Sequence, residues 1–340
     1  MLRVILSIFL CLTISPLASA QSQRGRLEVV PVEVSTEDSF RLPGFSVVPR
    51  EAPKAVVLLV HGLQGNSSWF RQSGIMEELA RLGIAVFAFD RRSTPRSVAL
   101  NEGRQEAGDI LGPADYYLDL KAAADMVLGF ARDNNVKAHL VGESLGGILG
   151  YQFLSQDHCG FSSMVGINTS LALRRIARFD WATLAQIRFG SATSYFGAVI
   201  EEDLLARPSG VGENEETVFE SFLRNPVSYM QRRFTARYLL WVRDMLGSTL
   251  TSLSSKGMAE FPIYWIFSER DQVVDSEASM ALVAAGGAPA HRSFLLPQAA
   301  HIAQTPQLRR RLAMAIERWI SNEHQEAAGG NAYFCEGLRR

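Results

Sequence analysis

The sequence predicts an α/β fold: a mostly parallel central sheet flanked by helices on both faces, with a helical cap inserted before the last two strands. Three observations carry that expectation. The runs at 55–60 and 84–89 are continuously apolar and of strand length, without the alternation of a strand that has one wet face. Segments of helical spacing separate them, and a helix is the usual crossover between neighbouring parallel strands. The rhythm stops after Asn168 and resumes at Pro262, which marks an insertion.

In chain order, residues 1–20 read as a secretory signal. Arg3 opens it, a mostly apolar stretch follows to Leu17, and Ala18-Ser19-Ala20 offers a small-x-small cleavage site before Gln21. The stretch falls short of the roughly 20 apolar residues of a spanning helix, and the alternative is an uncleaved N-terminal anchor. The bulky Phe9-Leu10 pair argues against a lipid on Cys11. The mature protein is therefore expected to be exported, periplasmic or secreted. Residues 27–34 and 45–48 read as opening antiparallel strands, 55–60 as a buried strand, 69–82 as one helix ending at Gly83, and 84–89 as the next strand. A long amphipathic helix is expected at 115–132, a strand at 136–141, a helix at 145–154 and a strand at 161–167.

From 171 to 259 no buried strand is recognisable. Met230, Phe234, Tyr238, Trp241 and Met245 recur at three- or four-residue steps, giving one apolar stripe, with Arg232, Arg233, Arg237 and Arg243 largely off it. Sheet rhythm returns with a strand at 262–267, a helix at 276–285, a strand at 292–296 and a closing amphipathic helix at 307–320. The expected organisation is a signal segment at 1–20, core at 21–170, cap at 171–259, core at 260–322 and a tail at 323–340.

Thirty-four Lys and Arg against 35 Asp and Glu leave a net charge of −1, so no global field favours nucleic acid or an anionic membrane. The expected partner is a small apolar or weakly charged acyl substrate, with membrane contact transient at most. Cys159 and Cys335 remain after signal removal. In an exported protein they form one disulfide or stay separate thiols, and sequence does not give their distance. Neither lies in a C-x-x-C motif, and neither a metal site nor a cofactor is expected.

The chemistry centres on Gly142-Glu143-Ser144-Leu145-Gly146, which joins an apolar strand to a helix. A serine there sits on a sharp turn that the flanking glycines allow, and its side chain is lifted out of the sheet. The Leu145 N–H at the helix start then faces any oxyanion formed at Ser144. A serine needs a base to take its proton, usually a histidine oriented by a carboxylate. Of six histidines, His139 and His291 read as structural, His324 as solvated, and His158 as pointing away from the strand ends. His61 opens a glycine-bearing loop, which suits a bracing role. His301, in the loop between the last strand and last helix, is left as the base. Asp271 follows the preceding strand and can reach it; Asp275 fits a helix N-cap before Ser276, and Glu269 a surface charge or cap partner. The second oxyanion donor is expected from the Leu63 N–H in His61-Gly62-Leu63-Gln64-Gly65.

These motifs, V-H-G-L-Q-G, F-D-R-R-S-T-P-R-S, V-G-E-S-L-G-G, S-E-R-D-Q-V-V-D and A-A-H-I in that order, resemble the α/β-hydrolase superfamily. Within it they are similar to the monoglyceride lipase and serine aminopeptidase-like branch. The order Ser144, Asp271, His301 is the order of that superfamily. The resemblance implies a metal-free serine hydrolase acting on carboxylic esters through an acyl-enzyme. An aminopeptidase-like amidase and a thioesterase are the alternatives among enzymes, and a low-turnover ligand-binding or receptor protein is the alternative outside them. One departure stands out. The family pattern D-x-R-G-x-G-x-S is matched at Asp90, Arg92 and Ser97, but Ser93 and Pro95 replace both glycines, which puts the shape of that loop in question.

Overall fold

The computed structural model describes residues 27–102, 104–156, 160–174, 189–197, 231, 233–253, 258, 260–288, 291–302 and 305–323. The expected signal segment, Cys159 and Cys335, His158 and His324, nearly all of the C-terminal tail and most of the cap, including Phe179, Trp181, Phe219, Phe222 and Met230, lie outside them.

Eight strands form one sheet. They are β1 (Val30–Ser35), β2 (Arg41–Val47), β3 (Ala55–Val60), β4 (Ile84–Phe89), β5 (Lys137–Glu143), β6 (Phe161–Ile167), β9 (Ile263–Ser268) and β10 (His291–Leu296), in spatial order β1-β2-β4-β3-β5-β6-β9-β10. β1 and β2 pair antiparallel, as does β2 with β4, and every later pair is parallel. The expected mostly parallel sheet is therefore present. β3 and β4 are buried at every position, which is why their sequences run apolar without alternation. β2 is longer than expected because it includes Pro43 and Gly44, a pair that reads as a turn. The Pro43 carbonyl accepts from the Asp90 N–H at 2.8 Å, and a side chain at Gly44 would overlap the Ala88 carbonyl.

On one face lie α1 (Ser67–Ser73), α2 (Ile75–Arg81) and α8 (Pro306–Arg318); on the other, α4 (Pro113–Asn134) and α5 (Leu145–Ser155). The single helix expected over 69–82 is instead two. Gly74, at φ 73°, both ends α1, its N–H reaching the Arg71 carbonyl, and begins α2. A side chain there would meet nothing within 4 Å, so the left-handed backbone alone selects glycine.

The insertion contributes α6 (Ala236–Ser252) and, against the expectation of helices only, a ribbon of β7 (Tyr195–Gly197) and β8 (Arg233–Thr235), paired antiparallel. Each strand has three residues, too short for its pattern to show in the sequence. The stripe expected on α6 is present, with Tyr238 and Met245 buried in the larger core cluster, Trp241 packed against it and Phe234 buried in the adjoining β8. α7 (Ser276–Ala285) follows β9.

Candidate active site

Ser144 is the hinge between β5 and α5. It adopts φ 53°, ψ −120°, a conformation that non-glycine residues rarely take and that costs on the order of 1–3 kcal/mol. Packing on both sides holds it there. A side chain at Gly142 would overlap the Gly146 carbonyl, and one at Gly146 would press on the Val60 carbonyl and stand 2.8 Å from that of His61. The backbone is tied in as well: the Ser144 N–H donates to the Ile167 carbonyl at 2.7 Å, and the Gly147 N–H donates to the Ser144 carbonyl at 3.0 Å. The Oγ lies 3.4 Å from Oγ of Ser170, just beyond β6.

His301 and Asp271 occupy loops that leave the carboxyl ends of β10 and β9. His301 Nδ1 lies 2.8 Å from Asp271 Oδ2, and both side chains are buried. The other carboxylate oxygen, Oδ1, accepts from the N–H groups of Val273 and Val274, each at 2.8 Å. Asp271 therefore has one oxygen anchored to backbone and one offered to the imidazole. The loop is fixed further by Asn168, at φ 45° after β6, whose Nδ2 donates to Ser268 Oγ at 2.9 Å and to the His301 carbonyl at 2.7 Å. Glu269 is no loose surface charge: its carboxylate accepts from the Gln298 N–H at 2.7 Å, bracing the turn before His301. Asp275 caps α7, accepting from the Ala278 N–H at 3.1 Å, as its position ahead of Ser276 suggests.

Burial disfavours a charged His301, but the Asp271 charge and hydrogen bond, with the nearby Glu143 charge, outweigh it, and the imidazole pKa ends above its usual 6.5. Glu143, the residue before Ser144, has its carboxyl pushed up to about 7 by burial, while His301 and a hydrogen bond from Trp69 act against that rise. No hydrogen bond joins Ser144 Oγ to His301 among the described residues; such contacts are often long in free enzymes and tighten with substrate.

The loop after β3 packs directly on the serine. A side chain built at Gly62 would stand 3.1 Å from Ser144 Cβ. His61 is fully buried, with Nδ1 3.0 Å from the Gly62 carbonyl and Nε2 3.3 Å from the Arg91 N–H. Burial first, and the Arg91 charge second, hold its pKa well below 6.5. A neutral ring donating from Nδ1 and accepting at Nε2 satisfies both contacts, which is a bracing arrangement. The cap is joined to the same loop, since the Gln231 N–H donates to the Gln64 carbonyl at 3.0 Å and Gln64 Nε2 donates to the Gln231 carbonyl at 3.3 Å.

At Ser93 and Pro95, where the family pattern has glycines, the chain turns into a helix. Thr94 caps a short helix, α3 (Pro95–Leu100), that begins with the proline. Asp90 stays buried and accepts from the N–H and Oγ of Ser67, and Arg92 pairs with Asp119 at 2.7 Å. Sequence reasoning passed over Asn168, Ser170, Glu143 and Arg91. The signal was there for the first two, since Asn168 directly follows a strand and Ser170 lies two residues on, where ligands of such sheets bind.

Sheet order, elbow and loop positions together define an α/β-hydrolase. A family model described as "Serine aminopeptidase, S33" matches residues 51–304, and the chain belongs to that hydrolase family. Among solved structures, it is similar to a soluble variant of monoglyceride lipase from Saccharomyces cerevisiae, at 16% identity and TM-score 0.68 over 86% of this chain and 96% of that one. A thermostable carboxyl esterase from Bacillus coagulans aligns at 14% identity and TM-score 0.64, over 87% and 98% of the two chains. A monoacylglycerol lipase from Paleococcus ferrophilus aligns at 16% identity and TM-score 0.59, over 86% and 98%. No curated protein matches the chain.

Proposed function

We propose that this hydrolase cleaves carboxylic esters, with Ser144 as nucleophile, His301 as general base and then acid, and Asp271 as the group that orients the imidazole and stabilises the imidazolium formed when it takes the proton. Ser144 Oγ attacks the ester carbonyl while His301 Nε2 takes its proton. The tetrahedral oxyanion is held by the N–H groups of Leu63 and Leu145, and the proton passes to the departing alcohol, leaving an acyl-enzyme that water hydrolyses by the same steps in reverse. The observation that carries the reading is the buried His301–Asp271 pair, 2.8 Å apart, on loops beside a serine held in a strained elbow. Neither Leu63 nor Leu145 has a hydrogen-bond partner for its N–H among the described residues, in keeping with donors reserved for a ligand.

The substrate is read as a small apolar or weakly charged acyl ester, because Phe234, Tyr238 and Trp241 bring aromatic surface from the cap to the same core cluster against which Leu63 packs. The family description favours aminopeptidase action as the second reading, which requires an acidic group to hold a free amino terminus. The two are separated by assaying p-nitrophenyl esters of graded acyl length beside amino-acid arylamides, with fluorophosphonate labelling of Ser144 as the check on the nucleophile. Ester turnover with rapid labelling is expected. Arylamide cleavage with no activity on any neutral ester would overturn the ester reading.

A further inference from the structure

We propose that Arg91 is a positioning residue that sets the oxyanion hole: its guanidinium clamps the Gly62 and Leu63 carbonyls and so turns the Leu63 N–H toward Ser144. This rests on the ester-hydrolase reading for its catalytic consequence, but the clamp itself is geometric. Arg91 directly follows the Asp90 that ends the β4 loop entry, and its side chain is buried. Nη2 donates to the Gly62 carbonyl at 2.7 Å and to the Leu63 carbonyl at 2.8 Å. Its own N–H donates to His61 Nε2 at 3.3 Å, which leaves Nδ1 of that ring to donate to the same Gly62 carbonyl. One residue thus has three ties to the loop.

The orientation follows from peptide geometry. In a trans peptide the C=O and the next N–H point in opposite directions. With the Gly62 oxygen drawn to Arg91, the Leu63 N–H is turned away from Arg91, on a loop that packs against Ser144, where a side chain at Gly62 would stand 3.1 Å from the serine Cβ. The remaining bonds to the Gly62 carbonyl, from Gly65 N–H at 3.3 Å and from His61, are longer and neutral. Charge-assisted bonds are shorter and about twice as strong, so the guanidinium is the dominant restraint against a flip of this peptide.

Arg91 is also an expensive way to fill that space. It has no carboxylate partner among the described residues, and its Nε and Nη1 are buried without a partner there. Burial of a cation on carbonyls alone is unfavourable unless it does something an apolar side chain cannot. Fixing donors in advance of charge development is such a task, because preorganised donors need not reorganise during reaction.

The test uses Arg91→Met and Arg91→Lys in the full-length protein. For Arg91→Met, kcat on a p-nitrophenyl ester is expected to fall about 100-fold with KM nearly unchanged, the size of losing one oxyanion donor. A trifluoromethyl ketone, which forms a tetrahedral oxyanion on the serine, should lose affinity in proportion. Arg91→Lys keeps a cation that can reach a carbonyl and should recover most of both. The crystal structure of free Arg91→Met is expected to show the Gly62–Leu63 peptide rotated. A peptide in its original orientation, or unchanged trifluoromethyl ketone affinity, would overturn the clamp. If Arg91→Met does not fold, Arg91→Lys decides: near-wild-type kcat with the Gly62–Leu63 peptide in place, or kcat lowered at constant KM with that peptide rotated, supports the clamp, whereas wild-type kcat with a rotated peptide, or lowered kcat with the peptide in place, refutes it. If wild-type protein neither turns over esters nor takes fluorophosphonate, the ester reading falls, and the peptide orientation in Arg91→Met still decides the clamp.

Discussion

The segment that carries Ser144 and the loop that carries His301 leave the same edge of one sheet, yet they are held by different physics. Around Ser144 the restraint is steric. Gly142 and Gly146 leave no room for a side chain, and the serine itself accepts a positive φ because helix and strand are pressed together. Around His301 the restraint is a set of hydrogen bonds: two backbone N–H groups on Asp271, the Asp271–His301 bond, Asn168 on the His301 carbonyl, and Glu269 on the Gln298 N–H. Sterically fixed parts tolerate almost no added volume. Hydrogen-bonded parts degrade one bond at a time. In the proposed mechanism the nucleophile has to be placed to a fraction of an ångström, whereas the imidazole has to exchange a proton between two partners, and each restraint suits its part.

The largest effect expected is common to both regions. Ser144→Ala and His301→Ala should each lower kcat by about 10⁴- to 10⁶-fold, and Asp271→Asn by about 10⁴-fold, because the three act as a unit. The double variant Ser144→Ala with His301→Ala should be hardly worse than either single one. Additive losses in steady-state kinetics would show that the two regions do not form one site.

Gly146→Ala probes the steric half. One methyl placed against the Val60 and His61 carbonyls should destabilise the fold by about 3 kcal/mol, seen as a clear drop in the urea midpoint, and should take activity down with it. Asn168→Ala probes the other half. Loss of the bonds to His301 and Ser268 should lower kcat roughly tenfold with the fold retained, the size of one hydrogen bond's contribution to positioning. The reverse ranking in stability would mean that the comparison has been drawn the wrong way round.

That contrast also explains what the sequence reveals. A steric elbow is local, so G-x-S-x-G and its neighbours announce it within one short segment, and continuous apolar runs announce the strands beside it. A hydrogen-bonded arm gathers residues from distant segments. Asp271 and His301 can be inferred because their chemistry is specific and they follow strands. Asn168 shares only the second of these signals, and Arg91 is no better marked, because a guanidinium aimed at backbone carbonyls leaves no periodic trace. The same holds for fold details. Gly74 splits one apparent helix because the break is a single left-handed residue within an otherwise continuous apolar pattern, and Pro43-Gly44 reads as a turn because its role in β2 depends on β4 lying alongside.

Charge offers a finer probe of the meeting point between the regions. If His301 is the base proposed above, it has to be neutral to accept the Ser144 proton, and its pKa is raised, so kcat/KM should fall on acidification through a midpoint above 6.5. Glu143, beside the serine, contributes to that rise when ionised. Glu143→Gln removes a negative charge that favours the imidazolium, so the acidic limb should move to lower pH, with kcat at high pH changed by less than about threefold. A limb that stays in place would show that the elbow carboxylate and the imidazole are not electrostatically coupled.

The smallest effect expected on turnover comes from Asp275, four residues beyond Asp271 and on the same arm. Its carboxylate is spent on the Ala278 N–H at the start of α7, while Asp271 alone bonds His301. Losing a helix cap costs about 0.5–2 kcal/mol, so Asp275→Ala should lower the unfolding free energy by roughly 1 kcal/mol and leave kcat and KM within about twofold of wild type. Equilibrium urea unfolding paired with ester kinetics reads both numbers on one preparation. The measurement has force because the two aspartates share a loop and a residue type. If Asp275→Ala abolished turnover while Asp271→Asn remained active, the acid would have been assigned to the wrong carboxylate, and the 2.8 Å bond from Asp271 would be a structural contact alone.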